Sequence, residues 1–223
     1  MKIFLLAITF FAGISAAAQI SKGSHFLGGD VSFGSSDNKT IDLNNNQSYS
    51  KYSSFNFYPS LDWVFKDNMV AGARILLSFY SYNYKQTSSG NNTKQNNIGA
   101  SIYVRKYLPL GKSFFLFGDA SLGGQSNYSK QINRATQNYY SIVKGYSINA
   151  MIYPGISYQV NKSLFLDVAL NNLVTLGYIR TNADQKVENL PNYKYVKNSF
   201  NFSSSLGFGV PLQIGMRWMI AKK

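Results

Sequence analysis

Seven charged residues of this chain, Asp30, Asp62, Arg74, Arg105, Asp119, Asp167 and Arg217, stand singly inside apolar or aromatic stretches. Two carboxylates held close together suit general acid–base chemistry, one protonated and one ionised. Carboxylates beside guanidiniums do something else: they pair, through short charge-assisted hydrogen bonds. Four Asp against three Arg favour the second chemistry, a structural ion-pair network. Other reactive groupings are missing. His25 is the single histidine and starts a strand-like run, so no Ser-His-acid triad can be assembled without it. The sequence has no HExxH, no P-loop and no Cys/His metal motif. The Asn-rich segments carry few acids for a calcium site, only Asp37, Asp42, Asp184 and Glu188. The residues therefore predict no catalytic centre, no metal and no cofactor.

The elements that must position these charges read as strands. Runs at about 24–34, 51–64, 69–82, 97–108, 113–125, 144–158, 163–178 and 199–220 are rich in Phe, Tyr, Ile, Val and Leu and alternate with period two. Three connections are short, at 65–68, 109–112 and 159–162. Four are long and polar, at roughly 35–50, 83–96, 126–143 and 179–198, and read as loops dominated by Asn, Ser, Tyr, Lys and Gln. Long and short connections alternate, beginning and ending on a long one. Eight antiparallel strands with both termini on one side produce that order, and all-hairpin connectivity lets the sheet close and lose its edges. Bacterial outer-membrane barrels share the asymmetry of short periplasmic turns and longer outer loops. Pro59, Pro154 and Pro211 fall inside these runs and mark bulges or strand ends.

The two faces differ in chemistry. One carries Leu27, Val31 and Phe33; Phe55, Phe57, Leu61 and Trp63; then Ala73, Ile75, Leu77 and Phe79, and continues alike through Leu212, Ile214, Met216 and Trp218. Lys106 and Asn172 are its main polar exceptions. The other face holds the seven charges with Gly, Ser, Asn, Gln and Tyr, and has neither Lys nor Glu in the strand interiors. A water-facing exterior would be rich in both. An interior just wide enough for side chains to fill suits the observed set. The charges lie near the short turns, at one end of that interior. The reverse orientation would place Arg in hydrocarbon, at about 2–4 kcal/mol each near the midplane. Trp63, Phe114, Tyr158 and Trp218 fall near the turn-end rim, and Phe33, Phe79, Tyr146, Tyr178, Phe200 and Phe202 near the other, as two interface girdles. The alternative is a soluble lipocalin-like barrel with the apolar face inside; its core would have to bury all these aromatics together with the strands' Leu and Ile.

The N-terminus supports export. Lys2, the apolar run from Ile3 to Ile14 and Ala16-Ala17-Ala18 match a signal peptide over residues 1–18, leaving one barrel domain over 19–223. The apolar run is shorter than the roughly 20 residues a membrane-spanning helix needs. There is no cysteine, so disulfides cannot staple the fold. The formal charge of +13 points to an anionic surface. Nucleic acid is excluded as a partner by the signal peptide and by the scatter of the lysines; lipopolysaccharide head groups fit better.

IGASIYVRKYLPLGKSFFLFGDASLG at 98–123 and VPLQIGMRWMI at 210–220 resemble the small outer-membrane β-barrel domain family, which includes the OmpA membrane domain and OmpX-like proteins, in versions common in the Bacteroidota. The resemblance covers roughly 19–223 and implies a fold: an all-β, eight-stranded antiparallel up-and-down transmembrane β-barrel in the cell outer membrane. It also implies outer-membrane lipid and the barrel assembly machinery as partners. That machinery reads a terminal aromatic in many members, whereas here Trp218 is followed by MIAKK. No peptidoglycan-binding domain follows the barrel, so no wall anchor is implied. The expected role is structural or surface interaction by a monomer, with the long loops available to a surface ligand. The alternatives are a narrow channel for small solutes and a lipid-modifying enzyme.

Overall fold

The structure is a computed structural model; it describes residues 19–41, 47–86, 89–133, 139–170, 173–187, 193–204 and 212–220. The signal-peptide assignment, Asp42, Asn172, Glu188, Pro211 and the stretch 205–210 lie outside the described residues. Ten strands form: β1 (His25–Ile41), β2 (Gln47–Lys66), β3 (Met69–Gln86), β4 (Ser89–Pro109), β5 (Phe114–Asn133), β6 (Tyr139–Gln159), β7 (Leu164–Leu170), β8 (Val174–Val187), β9 (Tyr193–Ser204) and β10 (Leu212–Ile220).

Every pairing is antiparallel, and the sheet closes on itself. Neighbours run β1 through β6 in sequence. β6 then pairs with β7 near one end and with β8 near the other; β7 pairs with β10, β8 with β9, and β10 returns to β1. The ring therefore has eight positions, two of which are each filled by two collinear strands. This refines the expected runs 163–178 and 199–220. On β6, Ile152 pairs with Val174 and Gly155 with Ala169, a register shift of two residues between the two ladders, with Tyr153 and Pro154 between them. Pro154 has no N–H to donate to a ladder. Pro59 acts differently: the β2–β3 ladder skips from Phe57↔Leu77 to Ser60↔Arg74 and keeps its register.

The expected long loops are largely strand. Ladders continue through Ile41↔Gln47, Gln86↔Ser89 and Asn91↔Asn133, and into Tyr139↔Val187. Strands of 17 to 21 residues in β1 to β6 exceed the roughly 9–11 that cross a bilayer. The excess extends the barrel wall itself, since Tyr84 pairs with both Ser50 and Asn91, and Asn91 with Asn133 as well. Reading the loss of apolar alternation as loop was the error: where both faces of the wall meet water, the backbone ladder persists without an apolar side, and Tyr and Thr favour it.

Inside and outside follow the alternation. Leu61, Ile102, Ile152, Ile214 and Met216 are exposed on the exterior, whereas all seven charged residues are at least nine-tenths buried within. At the turn end, the lead-in to β1 is tied under the barrel. Ile20 is buried; its N–H donates to Asn68 Oδ1 and its carbonyl accepts from the Asn68 N–H, both at 2.9 Å. Asn68 adopts φ 60° in the β2–β3 turn. Asn tolerates this left-handed conformation better than other residues bearing a Cβ. Asn68→Ala should therefore lose about 1–3 kcal/mol, from backbone strain plus the lost side-chain bond, and Asn68→Gly less. Urea midpoints of the folded barrel in detergent measure both.

Candidate functional site

The lumen is built in three layers. The lowest, at the turn end, is apolar: Phe26, Phe115, Phe117, Phe165, Val64 and Val70 are almost fully buried and close around Ile20. Phe26 meets Phe165 edge-on with ring centroids 5.4 Å apart, and Tyr107 meets Phe115 at 5.9 Å. The lumen is thus not polar throughout, as the alternation had suggested. Sequence reasoning assigned large apolar residues to the exterior and left most of these unplaced. Their strand parity, matching Asp30, Asp62, Asp119 and Asp167, was the available signal.

Above this floor lie the charges, and the structure brings all seven together. Arg74 Nη2 donates to Asp119 Oδ2 at 2.9 Å. The same oxygen accepts from Arg105 Nη2 at 3.0 Å and Nε at 3.1 Å. Arg105 Nη1 reaches Asp167 Oδ2 at 2.5 Å, and Arg217 Nε donates to that oxygen at 2.7 Å. Arg217 Nη1 then donates to Asp62 Oδ2 at 2.6 Å, and its Nη2 lies 3.6 Å from Asp30 Oδ1. Opposite charges alternate along this chain. Seven ring positions each supply one charge, from β1, β2, β3, β4, β5, β7 and β10. The eighth, β6, supplies Tyr153, whose hydroxyl accepts from Arg74 Nη1 at 2.5 Å.

Sequence reasoning missed what makes room for this layer. Gly72 is the ladder partner of both Asp62 and Tyr103, Gly28 of Arg217, and Gly215 of both Asp30 and Asp167. A Cβ at Gly72 would collide with the Asp62 carboxylate, and one at Gly215 with that of Asp30. Tyr103 lies on the inward face, as its alternation with Arg105 implies; its hydroxyl donates to Asp62 and accepts from Arg217 Nη1 at 2.8 Å. Its ring lies 3.8 Å from the Arg74 guanidinium carbon, and the Phe117 ring 3.9 Å from that of Arg105. Aromatic faces thereby cover cationic surface left over from the ion pairs.

The third layer is a cavity of about 300 Å³ toward the hairpin end. Arg74 and Tyr153 form part of its base, and Tyr58, Ser101, Asn149 and Gln213 are among its walls. Tyr80 and Gln125 also line the next cavity outward, so they form a neck between the two. On the exterior, Trp63, Phe114, Tyr158 and Trp218 are all exposed near the turn end, with Phe114 and Tyr158 paired at 4.8 Å. Toward the other end, Phe33, Phe55 and Phe79 follow one another across β1, β2 and β3. His25 is exposed and is the ladder partner of Trp63. Among the described residues, no cluster of His, Cys, Asp and Glu could hold a metal ion.

Ring closure, apolar exterior and alternating connections define the class: this is an outer-membrane type of β-barrel. Among solved structures, the outer membrane protein OprG from Pseudomonas aeruginosa is similar with a TM-score of 0.50 and 13% identity, over 91% of this chain and 98% of that one. Neisserial surface protein A (NspA) gives 0.33 at 17% identity, over 90% and 98%, and at that score adds nothing to the fold assignment. Neither a protein-family model nor a curated protein matches the sequence.

The ion pairs predict graded consequences. Arg217 is the cation paired with Asp30 and with Asp62, whereas Asp119 keeps Arg105 when Arg74 is removed. Arg217→Met should destabilise the barrel by about 3–5 kcal/mol, the usual result of stranding buried charge. Arg74→Met should cost clearly less. Urea unfolding in detergent, with heat-modifiable gel mobility as a second readout, gives the order.

Proposed function

We propose that this chain is an outer-membrane barrel, closed as a conduit, whose role is structural or surface-interactive. One observation carries the reading: two unlike seals lie one upon the other across the same lumen. The charged layer takes a residue from each of the eight ring positions, and the aromatic floor packs beneath it. An ion or solute would have to part both. In this reading the short turns and the termini face the periplasm, the hairpins face outward, and the seven charges are a structural network, not a catalytic one.

Trp63, Phe114, Tyr158 and Trp218 then lie at the inner membrane–water interface and the Phe33–Phe55–Phe79 row at the outer, which matches the aromatic girdles of such barrels. The hairpins carry the exposed basic residues Lys39, Lys85, Lys94, Lys130 and Arg180. Lys94 and Lys130 are direct cross-strand partners on β4 and β5. Like charges so placed repel unless an anion lies between them. Phosphates of lipopolysaccharide supply one at that height. The signal peptide, monomeric state, assembly by the barrel machinery and kinship with OmpA- and OmpX-like barrels belong to this reading, which includes no enzymatic activity.

The second reading is a narrow channel, and the cavity of about 300 Å³ favours it, since part of a path already exists. Planar-bilayer recording separates the two. The closed barrel should give no steady unitary conductance, and the double substitution Arg105→Ala with Phe117→Ala, which thins both seals, should raise leak events above the unmodified chain. Reproducible, long-lived pores from the unmodified chain would overturn the closed reading.

A further inference from the structure

We propose that the cavity above the charged layer binds a small neutral polyhydroxy solute, of the size and chemistry of a single sugar ring, entering from the hairpin end. The first argument is the lining. Tyrosine rings and hydroxyls from Tyr58, Tyr80 and Tyr153 alternate with Ser78, Ser101 and Thr175, and with the amides of Gln125, Asn149 and Gln213. Hydroxyls and amides both donate and accept, which matches a ligand whose own hydroxyls do both. Tyrosine adds a flat apolar face with a polar tip.

The second argument is unspent hydrogen-bonding capacity. Arg74, Ser101 and Thr175 all line the cavity, and Arg74 Nε, Ser101 Oγ and Thr175 Oγ1 are buried atoms without a hydrogen-bond partner. Arg74 and Ser101 are 5% and 4% exposed, so these are interior groups and not surface side chains. Buried polar groups are ordinarily paired, and each exception calls for a reason. Three in one cavity wall, from β3, β4 and β8, converge on one volume.

The third argument is charge. Among the described residues of the lining Arg74 is the one that carries a charge, and its terminal nitrogens are already committed, Nη2 to Asp119 and Nη1 to Tyr153. An anion would gain a single Nε–H and would face a layer with four carboxylates against three guanidiniums. A cation would meet Arg74 first. A neutral ligand avoids both penalties. A volume near 300 Å³ lies at the small end of ligand pockets, which fits one ring.

The test uses the full mature chain folded in detergent micelles, titrated calorimetrically with D-glucose, with inorganic phosphate as the anionic probe and tetramethylammonium as the cationic one. Saturable glucose binding, with both ions weaker by roughly tenfold or more, is the expected result. Asn149→Leu, which replaces an amide in the wall by a branched apolar group, should weaken glucose roughly tenfold while the urea midpoint stays put. Should that variant fail to fold, Gln125→Leu at the neck provides the same comparison. No saturable binding of glucose or N-acetylglucosamine, equal affinity for phosphate, or unchanged binding in a folded wall or neck variant would overturn the proposal.

Discussion

The structure depends on how its last strand is fastened to its first. Among the described residues the β1–β10 ladder runs from His25↔Ile220 to Val31↔Ile214, the contact that turns a curled sheet into a ring. Arg217 sits on that contact. Its guanidinium reaches back to Asp167 on β7, across to Asp30 on β1, and beyond to Asp62 on β2. One side chain thus clasps four consecutive ring positions from within. The partners are far apart in sequence, 155 residues for Arg217 and Asp62. Closing so long a loop is entropically unfavourable, and without cysteine no disulfide offsets it. Charge-assisted hydrogen bonds in a buried site are a sufficient replacement, because their strength is not diluted by water.

Such a clasp is safe only if no member is left alone. An unpaired buried charge costs several kcal/mol, which is why the network runs as an alternating chain and not as separate pairs. Arg105 bridges Asp119 and Asp167, and Asp167 bridges Arg105 and Arg217. Space is as restrictive as charge in a lumen of eight positions. Gly28, Gly72 and Gly215 yield their own side-chain volume to the charged residue directly across the ladder. The aromatic floor below contributes through burial; it also keeps the network's lower side dry, which maintains the strength of the ion pairs above it.

Much of this was legible in the sequence because a closed sheet has a strict period. Parity alone separates Trp63 and Leu61 outside from Asp62 and Ser60 inside, and charge then says which face avoids lipid. The seven charges were visible for the same reason: nothing else explains Asp or Arg singly in such runs. What residue type could not show is equally instructive. Phe115 and Phe165 are apolar yet inward, because the end of the lumen needs a dry stopper; hydrophobicity cannot distinguish lipid from stopper. The glycines opposite Asp62 and Asp30 depend on cross-strand register, which one strand read alone does not contain. The hairpins beyond the membrane lack apolar alternation, so Asn91 to Asn97 looks like loop although the backbone ladder runs straight through it.

Register explains where the irregularities fall. Side chains alternate, so a slip of one residue in any strand would turn its Asp or Arg from the lumen into hydrocarbon. In the charged layer no such slip is tolerable at any of the eight positions: Arg105↔Asp119, Asp119↔Tyr153, Gly215↔Asp167 and Gly28↔Arg217 all hold their register, and the β2–β3 ladder shifts only past Asp62, between Val64 and Lys66. Toward the hairpins no buried ion pair among the described residues fixes the inward set. There the register differs between Gly155↔Ala169 and Ile152↔Val174. The offset is two residues, not one, so inside stays inside: Thr175 on β8 still lines the cavity, as Ala169 on β7 still packs in the floor cluster.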